Sequence, residues 1–158
     1  MEDLRDVLGV LRSGADRDES DLAPPPRAAD IERVVEASRA AGVRAELTID
    51  VAELPDAVAR TAYRVVREGL TNVHKHARGS ATSVTVAGDE ATGVTVEVVN
   101  QGSVARAALL PGAGVGLLGL RERETLLGGS LQAGPCADGG WRLRAWLPWH
   151  PGPGAPSR

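Results

Sequence analysis

One run of eleven residues, Arg67-Glu68-Gly69-Leu70-Thr71-Asn72-Val73-His74-Lys75-His76-Ala77, constrains this chain more than any other. Wound at about 100° per residue, Tyr63, Val66, Leu70, Val73 and Ala77 share one stripe, while Glu68, Asn72, Lys75 and His76 share a sector on the opposite side. The pattern predicts a helix packed along one stripe that offers a carboxylate, an amide, an ammonium and an imidazole from the other. Lys75 is the only lysine among 18 basic residues; the other 17 are arginine. A lone ammonium in so arginine-biased a chain suits a contact that wants a compact charge on a flexible stem, as phosphate does.

At 158 residues the chain suffices for one domain with a real core. A net charge of −3 argues against a general nucleic-acid or anionic-membrane binder, which needs excess cation. No apolar run approaches the roughly 20 residues that span a bilayer, and the N-terminus has no signal-peptide pattern. Cys136 is the single cysteine, so neither an intramolecular disulfide nor a cysteine metal cluster can form. These features lead us to expect a cytoplasmic setting.

Leu4, Val7, Leu8 and Leu11 recur at helical spacing, too briefly to be stable alone, so residues 1–12 read as the end of a longer helix. Residues 13–27, with a run of acids and Pro24-Pro25-Pro26, read as a linker, and 28–149 as the folded domain. Within it we expect a helix from Asp30 as N-cap to Ala41, a strand over 43–51, and the long helix from Pro55 to Arg78 with Gly79 as its stop. Residues 82–87 and 94–99 read as a hairpin, and 103–115 as a mobile loop. A helix over 117–127, strands over 130–133 and 141–147, and a disordered tail at 150–158 complete the expectation. Helices interleaved with hairpin strands predict an α+β fold, a two-layer sandwich with a mainly antiparallel sheet.

Three segments carry chemistry. The first is the long helix. The second is Asn100-Gln101-Gly102, where a strand gives way to a loop. The third is Gly112-Ala113-Gly114-Val115-Gly116-Leu117-Leu118-Gly119, a glycine-rich turn leading into a helix, which exposes backbone N–H groups to an anion. Asn72 and Glu68 offer oxygens suited to a hard Mg²⁺ ion carried by phosphates.

In these segments the chain resembles the ATP-binding domain of sensor histidine kinases, specifically the subfamily whose partners are NarL-type response regulators, within the Bergerat-fold (GHKL) group that also includes gyrase, Hsp90 and MutL. Glu68-x-x-x-Asn72-x-x-Lys75-His76 looks like its N box, Asn100-Gln101-Gly102 like its first glycine box, and Gly114-Val115-Gly116-Leu117-Leu118-Gly119 like its second. Leu127-Gly128-Gly129 and the stretch from Gly139-Gly140-Trp141 to Leu147-Pro148 resemble the closing helix and strands. The resemblance covers roughly residues 30–148. It implies a mixed sheet covered by helices on one face, with ATP and Mg²⁺ as ligands. Asn72 would ligate the metal with Glu68 beside it, so that Glu68 and Lys75 serve catalysis. Lys75 and His76 would face the phosphates, and Gly114, Gly116, Leu117 and Gly119 would wrap them, while Asn100 and Gly102 would line the base. The family opens its first glycine box with an aspartate that accepts from the adenine amino group. Asn100 stands there instead, and its amide accepts without charge assistance. Trp141 stands near where relatives often carry a hydroxyl residue.

The resemblance further implies γ-phosphoryl transfer to a histidine on a dimerisation domain, in the same polypeptide or in trans, with a NarL-type response regulator downstream. A homodimer is expected only of a full-length kinase. The chain's own histidines are His74, His76 and His150, none placed as an upstream acceptor. Residues 1–12 would then be the end of the second dimerisation helix, and the chain a catalytic fragment or stand-alone ATP module. Two alternatives stand beside this reading: a Bergerat-fold serine kinase of the anti-sigma type, and a degenerate module that binds nucleotide without catalysis. Gly114-x-Gly116-x-x-Gly119 also matches a dinucleotide fingerprint, but that motif needs a strand before its first glycine, and a loop is expected there. No G-x-x-x-x-G-K-[ST] sequence occurs, which excludes a P-loop enzyme. His74 reads as a packing residue, Arg121, Glu122 and Arg123 as a solvated helix face, and Trp141, Trp146 and Trp149 as core or edge packing.

Overall fold

A computed structural model describes residues 24–77, 79–102 and 128–150. Along the chain these form α1 (Ala28–Ala40), β1 (Arg44–Asp50), α2 (Asp56–His76), β2 (Ala81–Asp89), β3 (Gly93–Asn100), β4 (Ser130–Pro135) and β5 (Trp141–Leu147). The sheet runs in the order β1-β2-β3-β5-β4. β1 pairs parallel with β2, through the crossover helix α2, and every other pairing is antiparallel. The α+β expectation with a mixed, mainly antiparallel sheet holds.

Alternation along the central strands explains the two layers. Val84 and Val86 of β2, Val94, Val96 and Val98 of β3, and Leu143, Ala145 and Leu147 of β5 are buried on one face and join Ile31, Val35, Val58, Val65, Val66, Leu70 and Val73 of the helices in one core. Residues of the other phase point to solvent, with Arg144 of β5 4.0 Å from Glu97 of β3. Trp146 belongs to that outer phase. It is 40% exposed, and its indole Nε1–H donates to the Thr92 carbonyl at 2.9 Å. The expectation of core or edge packing for Trp146 is thus corrected by strand parity, while Trp141 and Trp149 do pack against the core.

Boundaries moved for identifiable reasons. Asp30 is not the N-cap of α1 but lies one turn inside, where its carboxylate accepts the Arg27 backbone N–H at 2.7 Å. Gly42 ends that helix with φ +100°, as expected of a glycine stop. α2 starts after Pro55 and closes at His76, ahead of the Gly79 stop, because Ala77 leaves the helical conformation at φ −147° and ψ 31° and its carbonyl accepts the Ser80 N–H at 2.9 Å. In the β2–β3 hairpin, Asp89 caps the turn by accepting from the backbone N–H groups of Ala91 and Thr92 and from the Thr92 hydroxyl. The expectations for residues 1–23, the loop at 103–115, the helix at 117–127 and the tail from 151 lie outside the described residues. Among the described residues no helix is long and apolar enough to cross a membrane.

Candidate functional site

Gly69 sets the approach of α2 to the sheet. A Cβ there would lie 2.7 Å from Val98 Cγ2, so the bare glycine lets the helix backbone settle on β3. Three residues on along α2 stands Asn72. Two residues on along β3, on the same face as Val98, stands Asn100. Asn100 closes β3 opposite Thr82, the second residue of β2, and opposite Trp141, the first of β5. The Gln101 N–H continues the ladder to the Ala81 carbonyl at 2.8 Å, and Gly102 leaves it with φ +99° beside Ser80. One end of the sheet thus collects the C-terminal half of α2, the first residue pairs of β2 and β5, and the last residues of β3.

The polar sector of α2 is not opposite the packed face. Val58, Thr61, Ala62, Val65, Val66, Gly69, Leu70, Asn72 and Val73 are all buried, and at helical spacing they form one continuous face with Asn72 on its edge. Asn72 is only 7% exposed. The correction has a simple cause: glycine and small side chains extend the sheet-facing stripe beyond the large apolar residues that mark it in sequence. Glu68 is half-buried on the same flank, Lys75 exposed at its outer border, and His76 half-buried where the helix runs past the sheet.

Burial raises the Glu68 pKa above its ordinary value, and the Lys75 ammonium and the Arg67 guanidinium pull it partway back. Loss of hydration lowers the pKa of His76, and the neighbouring Lys75 charge lowers it further. The flank therefore holds one fixed cation, a carboxyl whose proton is bound more tightly than usual, and an imidazole biased to its neutral form. Asn72 and Asn100 are both buried polar residues of this end of the sheet. Asn100 is 1% exposed, and its Nδ2 is buried without a partner among those residues. A polar group buried and unbonded in this way is poised for a ligand.

The donors fit a nucleotide-borne metal. Among the described residues no three His, Cys, Asp or Glu side chains gather around a metal position. Glu68 and Asn72 supply one carboxylate and one amide oxygen, the partial set that Mg²⁺ accepts when phosphates and water complete its shell. His74 is half-buried and engaged within the fold, in keeping with packing. Gly114, Gly116, Leu117 and Gly119, like Arg121–Arg123, fall outside the described residues. Two participants had no role assigned from sequence. Gly69 could have been flagged because glycine inside a helix is unfavourable by about 1 kcal/mol and marks a close approach. Gly140, whose Cβ would meet the Asn100 carbonyl oxygen, carried no local signal.

Known proteins resemble this chain in sequence and fold. The chain is 37% identical over 134 residues to the signal transduction histidine-protein kinase/phosphatase UhpB of Salmonella typhimurium, covering 81% of this chain and 25% of that protein. It is 30% identical over 94 residues to the sensor histidine kinase YxjM of Bacillus subtilis, covering 60% of this chain and 22% of that protein. The chain thus spans about a quarter of the length of the curated relatives it matches. Among solved structures, the mycobacterial sensor histidine kinase MprB superposes with a TM-score of 0.57 at 20% identity, covering 82% of this chain and 100% of that one. The Acinetobacter baumannii histidine kinase AdeS gives 0.59 at 14% identity, covering 94% of this chain and 79% of that one. At such identities these two show a shared fold. A family model described as histidine kinase-, DNA gyrase B- and HSP90-like ATPase matches residues 57–151, more than half of the chain. The chain is therefore an ATP-binding domain that belongs to the histidine kinase-, DNA gyrase B- and HSP90-like ATPase family.

Proposed function

We infer that this chain is the Mg-ATP-binding catalytic domain of a two-component sensor histidine kinase, and that it delivers the ATP γ-phosphoryl group to a histidine on a dimerisation domain in cis or in trans. The observation that carries the reading is the buried Asn72 on the flank shared by Glu68 and Lys75, at the sheet end that also holds Asn100 with its unpartnered Nδ2. The resemblance to both curated sensor kinases supports histidine as the acceptor. The N-box pattern from Glu68 to His76 supports the finer assignment to the NarL-type subfamily, with a response regulator of that type as the next partner, and the single cysteine supports a reducing, cytoplasmic site of action.

Phosphoryl transfer needs little covalent help from protein, so the work falls to positioning and charge. When bound, Mg²⁺ would offset the negative charge of the β- and γ-phosphates. Asn72 would hold the metal by its amide oxygen without adding negative charge there. Lys75, exposed at the border of the flank, can swing its ammonium onto a phosphate oxygen. Glu68, held close to Asn72 by helical spacing, would orient the reacting groups. As the neutral imidazole its environment favours, His76 can donate or accept one hydrogen bond to phosphate.

Incubation with γ-labelled ATP and a supplied histidine-bearing dimerisation domain tests the reading. Label on that partner that is lost in acid and kept in alkali is the expected result, with none on the chain alone. Acid-stable label on a serine would favour the anti-sigma alternative. ATP binding without any transfer would favour the degenerate module.

A further inference from the structure

Asn100 is the least explained polar side chain in the structure. It continues the inward face of β3 past Val94, Val96 and Val98, is 1% exposed, and buries Nδ2 without a partner among the described residues. Its backbone is fixed from both sides: the β2 and β5 ladders hold it in register, and Gly140 lies so close to its carbonyl oxygen that any Cβ at 140 would overlap it. A side chain so anchored cannot turn out to water to satisfy itself. Leaving a buried amide nitrogen unbonded is costly, so its position is that of a donor waiting for a polar edge.

We propose that Asn100 reads the base of the bound nucleotide through both ends of its amide, and that the site in consequence takes guanine and hypoxanthine nucleotides alongside adenine ones. This rests on the nucleotide-binding reading above and concerns only which purines the site admits. The amide is a coplanar donor–acceptor pair. In one orientation Oδ1 accepts from the adenine 6-amino group while Nδ2 donates to ring N1. Rotated by 180° about its terminal bond, Nδ2 donates to the 6-keto oxygen of guanine or hypoxanthine while Oδ1 accepts from N1–H. Either base receives two in-plane hydrogen bonds. An ionised carboxylate in the same place can only accept, which suits the amino group and repels the keto oxygen. A buried carboxylate would therefore select adenine, whereas a buried amide does not. Discrimination by unpaired polar groups is available only to a site that cannot adapt its own pattern.

The experiment is a calorimetric titration of the whole chain, with Mg²⁺ present, against ATP, GTP, ITP and purine riboside triphosphate, which lacks the 6-substituent. GTP and ITP are expected to bind within about tenfold of ATP, and purine riboside triphosphate about tenfold or more weaker than ATP, the loss of one well-made hydrogen bond. Asn100→Asp, with its fold checked by thermal melting, is expected to widen the preference for ATP over GTP by about tenfold or more. The native titrations stand whether or not the variant folds. ATP binding with GTP and ITP more than about a hundredfold weaker would overturn the proposal and leave the ATP reading intact. Equal binding of all four would show that the amide reads no base, which also overturns it. No binding of any of the four would overturn the ATP reading itself, and this proposal with it.

Discussion

Replacing Gly69 with alanine puts a methyl group into space that Val98 already fills. The added carbon would lie 2.7 Å from Val98 Cγ2 and 2.8 Å from its Cβ, whereas carbon pairs rest about 3.5–4.0 Å apart, so helix or strand must yield by about 1 Å. Overpacking of this size is unfavourable by about 1–3 kcal/mol, and replacing a helical glycine with alanine returns about 1 kcal/mol. A net loss of up to about 2 kcal/mol follows. Val98→Ala alone removes two buried carbons, about 1.6 kcal/mol at ~0.8 kcal/mol each, plus a cavity term. In the double variant the Cγ2 overlap is gone while the 2.8 Å approach to the retained Cβ remains, so the overpacking is relieved in part and the pair should lose less than the sum of the singles. Urea unfolding of the four proteins measures the cycle. Gly69→Ala should also weaken Mg-ATP binding beyond its effect on stability, because Asn72 follows one turn later on the displaced segment, and errors near 1 Å cost up to about a hundredfold at such sites. A Gly69→Ala protein about 1 kcal/mol more stable than the parent, with an additive cycle, would refute the close approach of α2 to β3.

Asn72→Asp should weaken Mg-ATP binding about tenfold or more in calorimetry with little change in fold, since it adds negative charge beside the phosphates and alters the metal's donor set. Glu68→Gln should melt higher than the parent at neutral pH. The folded-state pKa of Glu68 is raised, so its favourable contribution is present below the unfolded value of 4.5 and lost as pH rises through the folded value. The gap in melting temperature should therefore close as the pH is taken below 4.5, and a pH-independent gap would contradict the assigned burial effect. Asp89→Ala should loosen the β2–β3 turn, lowering the melting temperature near neutrality. Hydrogen bonds hold the Asp89 pKa below 3.8, so the difference should vanish as acid protonates that carboxylate.

Much of the domain was legible because its signals are local. The β-branched runs of β2 and β3, separated by a turn rich in Gly and Asp, gave the hairpin almost to the residue. Gly42 marked a helix end that its positive φ enforces. The edge of the α2 packing face was hidden, because Gly69 and Ala62 look neutral in sequence and become core only when β3 lies against them. Trp146 was misjudged because parity, not hydrophobicity, decides which face of β5 a side chain takes. Asn100 could be singled out beside a glycine, but its burial follows from the pairing of β3 between β2 and β5, which no local pattern states.

The proposed Mg-ATP site is the one end of this sheet where α2 meets β3. Amide and side-chain NMR shifts of the isotope-labelled chain, titrated with Mg²⁺ and a non-hydrolysable ATP analogue, test it most directly. The predicted result is saturable change concentrated at Glu68, Asn72, Lys75, His76, Asn100 and Gly102, including the carboxamide signals of both asparagines, with Thr95, Arg144 and Trp146 on the outer face unmoved. Saturable shifts centred on that outer face, with Asn72 and Asn100 silent, would contradict it.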